Sequence, residues 1–270
     1  MKFLDLHYHA APDLFQRAHT ALEASRLASQ AKGALVLKSH LGSTVDSALI
    51  LRELDLPAFP SVVLNPGFGG ISIQRLQSEI AKWSRRADSA LLVYLPTSTR
   101  SHQKYHKCSS SEAVTMSENG KLVEDVTELL RLATDAPIRI ATGHCSKEEV
   151  LLVCEEAEKI GVKQLLLTHP MHPCVGFTEG ELRCLSENAM IWFEQTALSL
   201  ELGRQTVTEF KNILTRLPRV VFTSDFGQVV RPGIHAWYLK YKNLFDSWEI
   251  SASLSEDLFY NRPKTFLEAK

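Results

Sequence analysis

Short apolar, β-branched runs recur along the chain, and each is followed by a longer stretch whose apolar residues are spaced by three and four. The runs are KFLDLH (2–7), ALVLK (34–38), PSVVLN (60–65), ALLVYLP (90–96), IRIATG (138–143), QLLLTH (164–169), MIWFEQ (190–195) and VVFTSD (220–225). Several are apolar on consecutive residues, the pattern of a parallel strand covered on both faces. The spacing between them predicts helices over 15–31, 72–87, 121–134 (stripe Leu122, Val126, Leu129, Leu130, Ala133) and 198–216. Ser146 with Glu149, and Thr178 with Glu181, have capping-box spacing and open two more helices; Gly161 ends the first of these. Eight strands alternating with helices predict a parallel sheet with helical crossovers, and eight is the number that closes a barrel. An open doubly wound sheet would favour a glycine-rich phosphate turn after the first strand, and none is present. There is no fixed-period repeat and no low-complexity linker. The expected fold is therefore α/β, one (β/α)₈ TIM barrel over residues 1–270. The polar stretch 99–119 reads as an active-site loop or lid, because unstructured loops of that length are otherwise uncommon.

The ionisable residues are not scattered over this pattern. His7 and His9 end the first run, Lys38 and His40 the second, His144 follows the fifth, His169 ends the sixth and Asp225 the eighth. In a barrel these ends share one face, where active sites are built. Side chains alternate along a strand, so the H-x-H pair His7/His9 points one way and can reach one ion. Neutral imidazoles with a carboxylate suit a divalent metal, Zn²⁺ first and Mn²⁺ or Fe²⁺ as substitutes. His7, His9, His144, His169 and Asp225 are the expected ligands.

The segments DLHYH, TGH, THP and TSD resemble the amidohydrolase superfamily, which carries H-x-H after strand one, histidines after strands five and six, and an aspartate after strand eight. The resemblance spans nearly the whole chain and is closest to a small branch with DLHYHAAPD, LKSH, LNPGFGG, LPTSTRSH and SDFGQ; the final NRPKTFL is similar to the N-P-x-x-L-L ending of many members. It implies hydrolysis by a metal-activated water, with Asp225 taking the water's proton and passing it to the leaving group of an amide, lactone or ester. Many binuclear members bridge two metals with a carboxylated Lys or a Glu at the end of strand four, but VYLPTST has neither. Lys38 is the nearest substitute. It could be carboxylated, remain an ammonium that binds a substrate anion, or form an ion pair, so one or two ions are both open. A second likeness, to metallo-barrels of the polymerase-and-histidinol-phosphatase (PHP) type, rests on D-L-H-x-H and His40, but the usual D-x-H on a late strand is SDFG here, without the last histidine.

Substrate contacts are expected from Lys38, His40, Asn65, Arg100, His102 and Gln228. With Lys104 and His106, Arg100 and His102 make a basic loop that favours a carboxylate or phosphate on the substrate. Glu194 and Gln195 contact substrate or form rim hydrogen bonds, Asp13 supports a ligand histidine, and Trp192 and Phe193 belong to the core. A decarboxylase of the same superfamily, or a non-catalytic metal or ligand binder, would use the same residues. A formal charge of −1 predicts neither nucleic acid nor an anionic membrane as partner, and leaves a small-molecule substrate, with a homo-oligomer open. No leader segment or membrane span is evident, and the cysteines (Cys108, Cys145, Cys154, Cys174, Cys184) are odd in number and lack C-x-x-C, as expected of reduced, packed thiols in the cytoplasm.

Overall fold

A computed structural model describes residues 1–85, 89–107 and 113–268. Cys108, residues 108–112 of the polar loop and the last two positions of the helix expected over 72–87 lie outside the described residues. Eight parallel strands, β1 (Phe3–His9), β2 (Gly33–Lys38), β3 (Ala58–Val63), β4 (Leu91–Tyr94), β5 (Ile138–Ala141), β6 (Leu165–Leu167), β7 (Ile191–Thr196) and β8 (Val220–Thr223), stand in sequential order in one sheet. This is the (β/α)₈ barrel that the alternation predicts. The described residues contain no helix long and apolar enough to cross a membrane.

Two apolar layers follow from the pleat. Leu4, Leu6, Ala34, Val36, Val63, Leu92, Ala141, Leu166, Trp192 and Val221 fill the barrel interior. Their neighbours, among them Phe3, Leu35, Leu37, Val93, Ile140, Leu165, Phe193 and Phe222, face the helices. Phe266 and Leu267 of the terminal helix Arg262–Leu267 join the interior layer. The ending that resembles N-P-x-x-L-L thus plugs the barrel end opposite the strands' C-termini, and the Ala90 N–H bonds the Leu267 carbonyl at 2.8 Å.

β1 changes parity part-way. Its pairing with β2 runs Asp5↔Leu35 and then Tyr8↔Leu37, which inserts one extra residue. This bulge lets Leu4 and Leu6 point inward below while His7 and His9 point inward above, with Tyr8 turned out among the helices. The barrel closes beside it. Asp225 N–H donates to the His7 carbonyl at 3.0 Å and His9 N–H to the Phe226 carbonyl at 2.8 Å. Lower in the seam no ladder forms, and the buried Asp5 carboxylate accepts instead from His7 N and Ser224 N, each at 3.0 Å, and from the Ser224 hydroxyl.

Several helix expectations need adjusting. The first helix is Ala21–Gln30, opened by a capping box of Thr20 and Glu23. Residues 15–20 are instead a loop over the barrel mouth. The stretch 198–216 splits into Ala197–Glu201 and Val207–Arg216, because Thr206 caps a new helix with Glu209 after the turn at Gly203. The stripe over 121–134 starts helical structure only at Glu124, since Lys121–Leu122 pairs with Ser117–Glu118 as a small hairpin. The polar loop carries a helix of its own, Arg100–Tyr105. The capping boxes at Ser146 and Thr178 and the left-handed Gly161 form as expected.

Candidate metal centre

Three donor atoms converge at the seam. His7 Nε2 and His9 Nε2 are 3.2 Å apart, and Asp225 Oδ1 is 3.1 Å from the first and 3.3 Å from the second. A tetrahedral ion with bonds of about 2.0–2.1 Å separates its ligands by about 3.3 Å, so the triangle has the size of one face of such a coordination shell. The supporting contacts fix it further. Glu194, fully buried on β7, accepts from His7 Nδ1 at 2.9 Å, from Thr223 Oγ1 at 3.1 Å and from the His169 backbone N–H at 3.2 Å. A carboxylate only accepts, so His7 carries its proton on Nδ1 and turns the Nε2 lone pair toward His9, Asp225 and Lys38. Glu194 is therefore a rim hydrogen-bonding group that ties β1, β6 and β8 together.

Burial lowers the pKa of His9 to about 4, against the pull of Asp13 and Asp225, and lowers that of His169 to about 3. It also pushes His144 well below the ordinary histidine range, helped by His169 and His102. All three imidazoles are neutral near pH 7, the form that binds a metal. Burial alone would raise Asp225, but His7, His9 and His169 together hold it well below the usual carboxylate range. Both His169 (φ 29°) and Asp225 (φ 54°) adopt left-handed backbone, which non-glycine residues rarely do outside turns and functional sites. Gly227 (φ 123°) is required beside them, because a Cβ there would run into the His9 carbonyl oxygen.

Lys38 Nζ donates to His7 Nε2 at 2.8 Å and lies 3.9 Å from the centre of the Tyr94 ring. Burial lowers its pKa to about 8. Among the described residues no carboxylate lies within ion-pair distance of it. Tyr94, like Leu92 an inward residue of β4, donates its hydroxyl to the Leu6 carbonyl at 2.8 Å.

The other expected residues divide. His9, His40, His102, His144, His169, Asp225 and Gln228 line one cleft of about 480 Å³ at the mouth. Gln228 Nε2 donates to the Asp225 carbonyl at 3.0 Å. His144 lies beside His169, ring centres 5.1 Å apart, and the His169 ring is 6.4 Å from that of His7. These two histidines thus face the cleft without joining the compact His7–His9–Asp225 group. Arg100 is exposed and does not line the cleft: on its short helix His102 faces inward with His106, four residues on, and Arg100 looks away. Asn65 is a buried clamp instead of a cleft wall. Its side-chain oxygen accepts from Thr97 N and Ser98 N, and its amide donates to Thr97 Oγ1 and the His40 carbonyl, joining three loops. Trp192 and Phe193 are core.

Three cleft residues carried no strand-end signal. Arg17, on the loop expected to be helical, donates to Asp13 at 2.6 Å and stands 3.2 Å from His9 Nδ1 and 3.1 Å from His40 Nδ1. Asp13 also accepts the His40 N–H at 2.7 Å and lies 3.6 Å from His9 Nδ1, a supporting position behind His9. His172 and Cys174, in the turn after β6, have nitrogen and sulfur 3.0 Å apart. The only trace of them in the sequence is the cluster HPMHPC.

The sequence profile of DUF6282, a family of unknown function, matches residues 2–194. The chain belongs to this family. The matched span runs from β1 to Glu194 and holds every cleft histidine; Asp225 lies beyond it. No curated protein matches the chain.

Proposed function

We propose that this DUF6282 member is a metal-dependent hydrolase of the amidohydrolase type, acting on an amide, lactone or ester-type bond of a small anionic substrate. The observation that carries the reading is the triangle of His7 Nε2, His9 Nε2 and Asp225 Oδ1, with sides of 3.1–3.3 Å, at the mouth of the barrel. Its donor set, two neutral imidazoles and a carboxylate, fits Zn²⁺, with Mn²⁺ or Fe²⁺ as substitutes. When bound, the ion would lower the pKa of a water and polarise the electrophile.

The chain supplies the rest. Glu194 holds the His7 ring in the tautomer that presents Nε2. Asp225 is ionised at neutral pH and faces the cleft, so it can take a proton from an attacking water and return it to the leaving atom. Arg17 and Arg204 line the cleft and put positive charge on it, which suits a carboxylate or phosphate on the substrate, while Lys38 is buried against His7.

The test is a panel of lactones, N-acyl compounds, phosphoesters and aromatic carboxylates, offered to protein loaded with Zn²⁺ or Mn²⁺. A carbonyl hydrolysis is expected, and Asp225→Asn should slow it by roughly 10²–10⁴-fold. Release of carbon dioxide would replace the hydrolase with a lyase, and turnover unchanged in Asp225→Asn would remove Asp225 from the chemistry.

A further inference from the structure

The cleft holds a second set of ligand atoms that the hydrolase reading does not use. His169, His172 and Cys174 each present one donor atom, and the three lie within 4.8 Å of one another. None belongs to the His7–His9–Asp225 triangle. The local chain explains how residues spaced by three and two come to one side. His172 N–H bonds the His169 carbonyl at 2.9 Å, and Val175 and Gly176 N–H both bond the His172 carbonyl, at 2.8 and 2.9 Å. Residues 169–176 therefore coil tightly, and all three side chains line the cleft.

His169 supplies an independent observation. The residue is 5% exposed, yet Nδ1 is buried and has no hydrogen-bond partner among the described residues. A buried polar atom left unpaired in this way calls for an explanation, and an ion is one of the few available. His144, whose ring lies 5.1 Å from that of His169, also has a buried and unpartnered Nδ1. His169, with its orphaned ring nitrogen, thus belongs to the same compact group as the Cys174 thiol and the His172 imidazole, and His144 lies next to it outside that group.

We propose that His169, His172 and Cys174 form a second metal site, distinct from the His7–His9–Asp225 site and taking a thiolate-tolerant divalent cation, Zn²⁺ or Co²⁺. A sulfur ligand disfavours Mg²⁺ and Ca²⁺, which prefer all-oxygen shells. Three protein ligands leave a coordination position facing the cleft, as in zinc sites that meet a water or a substrate group. The cation displaces the thiol proton, so loading releases one proton from Cys174 to solvent.

The test uses the full chain, stripped of metal and titrated with Co²⁺. Thiolate-to-cobalt charge transfer in the near ultraviolet reports sulfur ligation, and elemental analysis reports stoichiometry. Wild type should show the band and take up two ions per chain. Cys174→Ser and His172→Ala should each lose the band and one ion, whereas Cys145→Ser and Cys184→Ser should keep both. A wild type saturated with Co²⁺ but lacking the band, or a band that survives Cys174→Ser, would overturn the proposal. If Cys174→Ser does not fold, X-ray absorption at the zinc edge of wild type decides instead. Sulfur scattering equivalent to one ligand per two ions is expected, and its absence overturns the site. The first site stands or falls separately: His9→Ala should keep the band while losing the other ion, so retention of the band without any hydrolysis refutes only the hydrolase reading.

Discussion

At the scale of single residues, the centre depends on groups that hold ligands as much as on the ligands. Glu194 gathers a histidine from β1, a hydroxyl from β8 and the backbone N–H of His169. Replacing it with Gln keeps size and shape but removes the charge and leaves the His7 tautomer unfixed. Glu194→Gln should weaken Zn²⁺ binding by about 10–100-fold, as measured by chelator competition on the folded protein, and should also lower the melting temperature of the metal-stripped protein, because its buried amide NH2 must face a donor. An affinity equal to wild type would show that His7 is not a ligand. A single charged residue in the apolar strand WFEQT made Glu194 noticeable from sequence, but its partner was not readable there, because that contact spans 187 positions. Arg17 was harder still. It lies in a stretch with helical spacing, and only the capping box at Thr20 shows that the helix begins after it.

At the scale of elements, strand ends were legible because burial on both faces leaves an apolar signature that stops where polar chemistry begins. The β1 bulge was not. Strict alternation would put Leu6 and His7 on opposite faces, and only the inserted residue brings both inward. Arg100 shows the same limit in a loop: composition grouped it with His102, but two positions along a helix, about half a turn, separate their directions. The β8–β1 seam carries its own prediction. Gly227 packs against the His9 carbonyl at φ 123°, so Gly227→Ala must displace either that loop or β1. It should cost about 2 kcal/mol or more in denaturant unfolding and should also weaken metal binding. A neutral substitution would mean that the seam is looser than the hydrogen bonds from Asp225 N and His9 N imply.

For the whole molecule, burying so many titratable groups at one mouth makes stability depend on pH. The folded pKa values of His9 and His169 are pushed below the ordinary histidine value, to about 4 and about 3. Their neutral forms fold best, so this part of the stability is complete above about pH 6.5 and is lost as pH falls toward those values. Asp5 acts in the opposite sense. Burial raises it to about 7 from 3.8, so its contribution is largest at low pH and disappears as pH rises through 7. Near pH 5 the two histidines outweigh the aspartate by roughly one proton taken up on unfolding. Metal-stripped protein should therefore lose stability on acidification from pH 6.5 to 4.5, and Asp5→Asn should steepen that loss by about one proton. Urea midpoints across this range measure both, and a flatter profile in the variant would contradict the assignment of Asp5.

The central claim is that residues far apart in sequence hold an ion at the seam of the barrel. Anomalous diffraction from crystals soaked in Zn²⁺ tests it most directly. The account predicts a strong zinc peak within bonding distance of His7 Nε2, His9 Nε2 and an Asp225 oxygen. A map with no anomalous density between these three atoms, from protein that is folded and fully exposed to zinc, would contradict it.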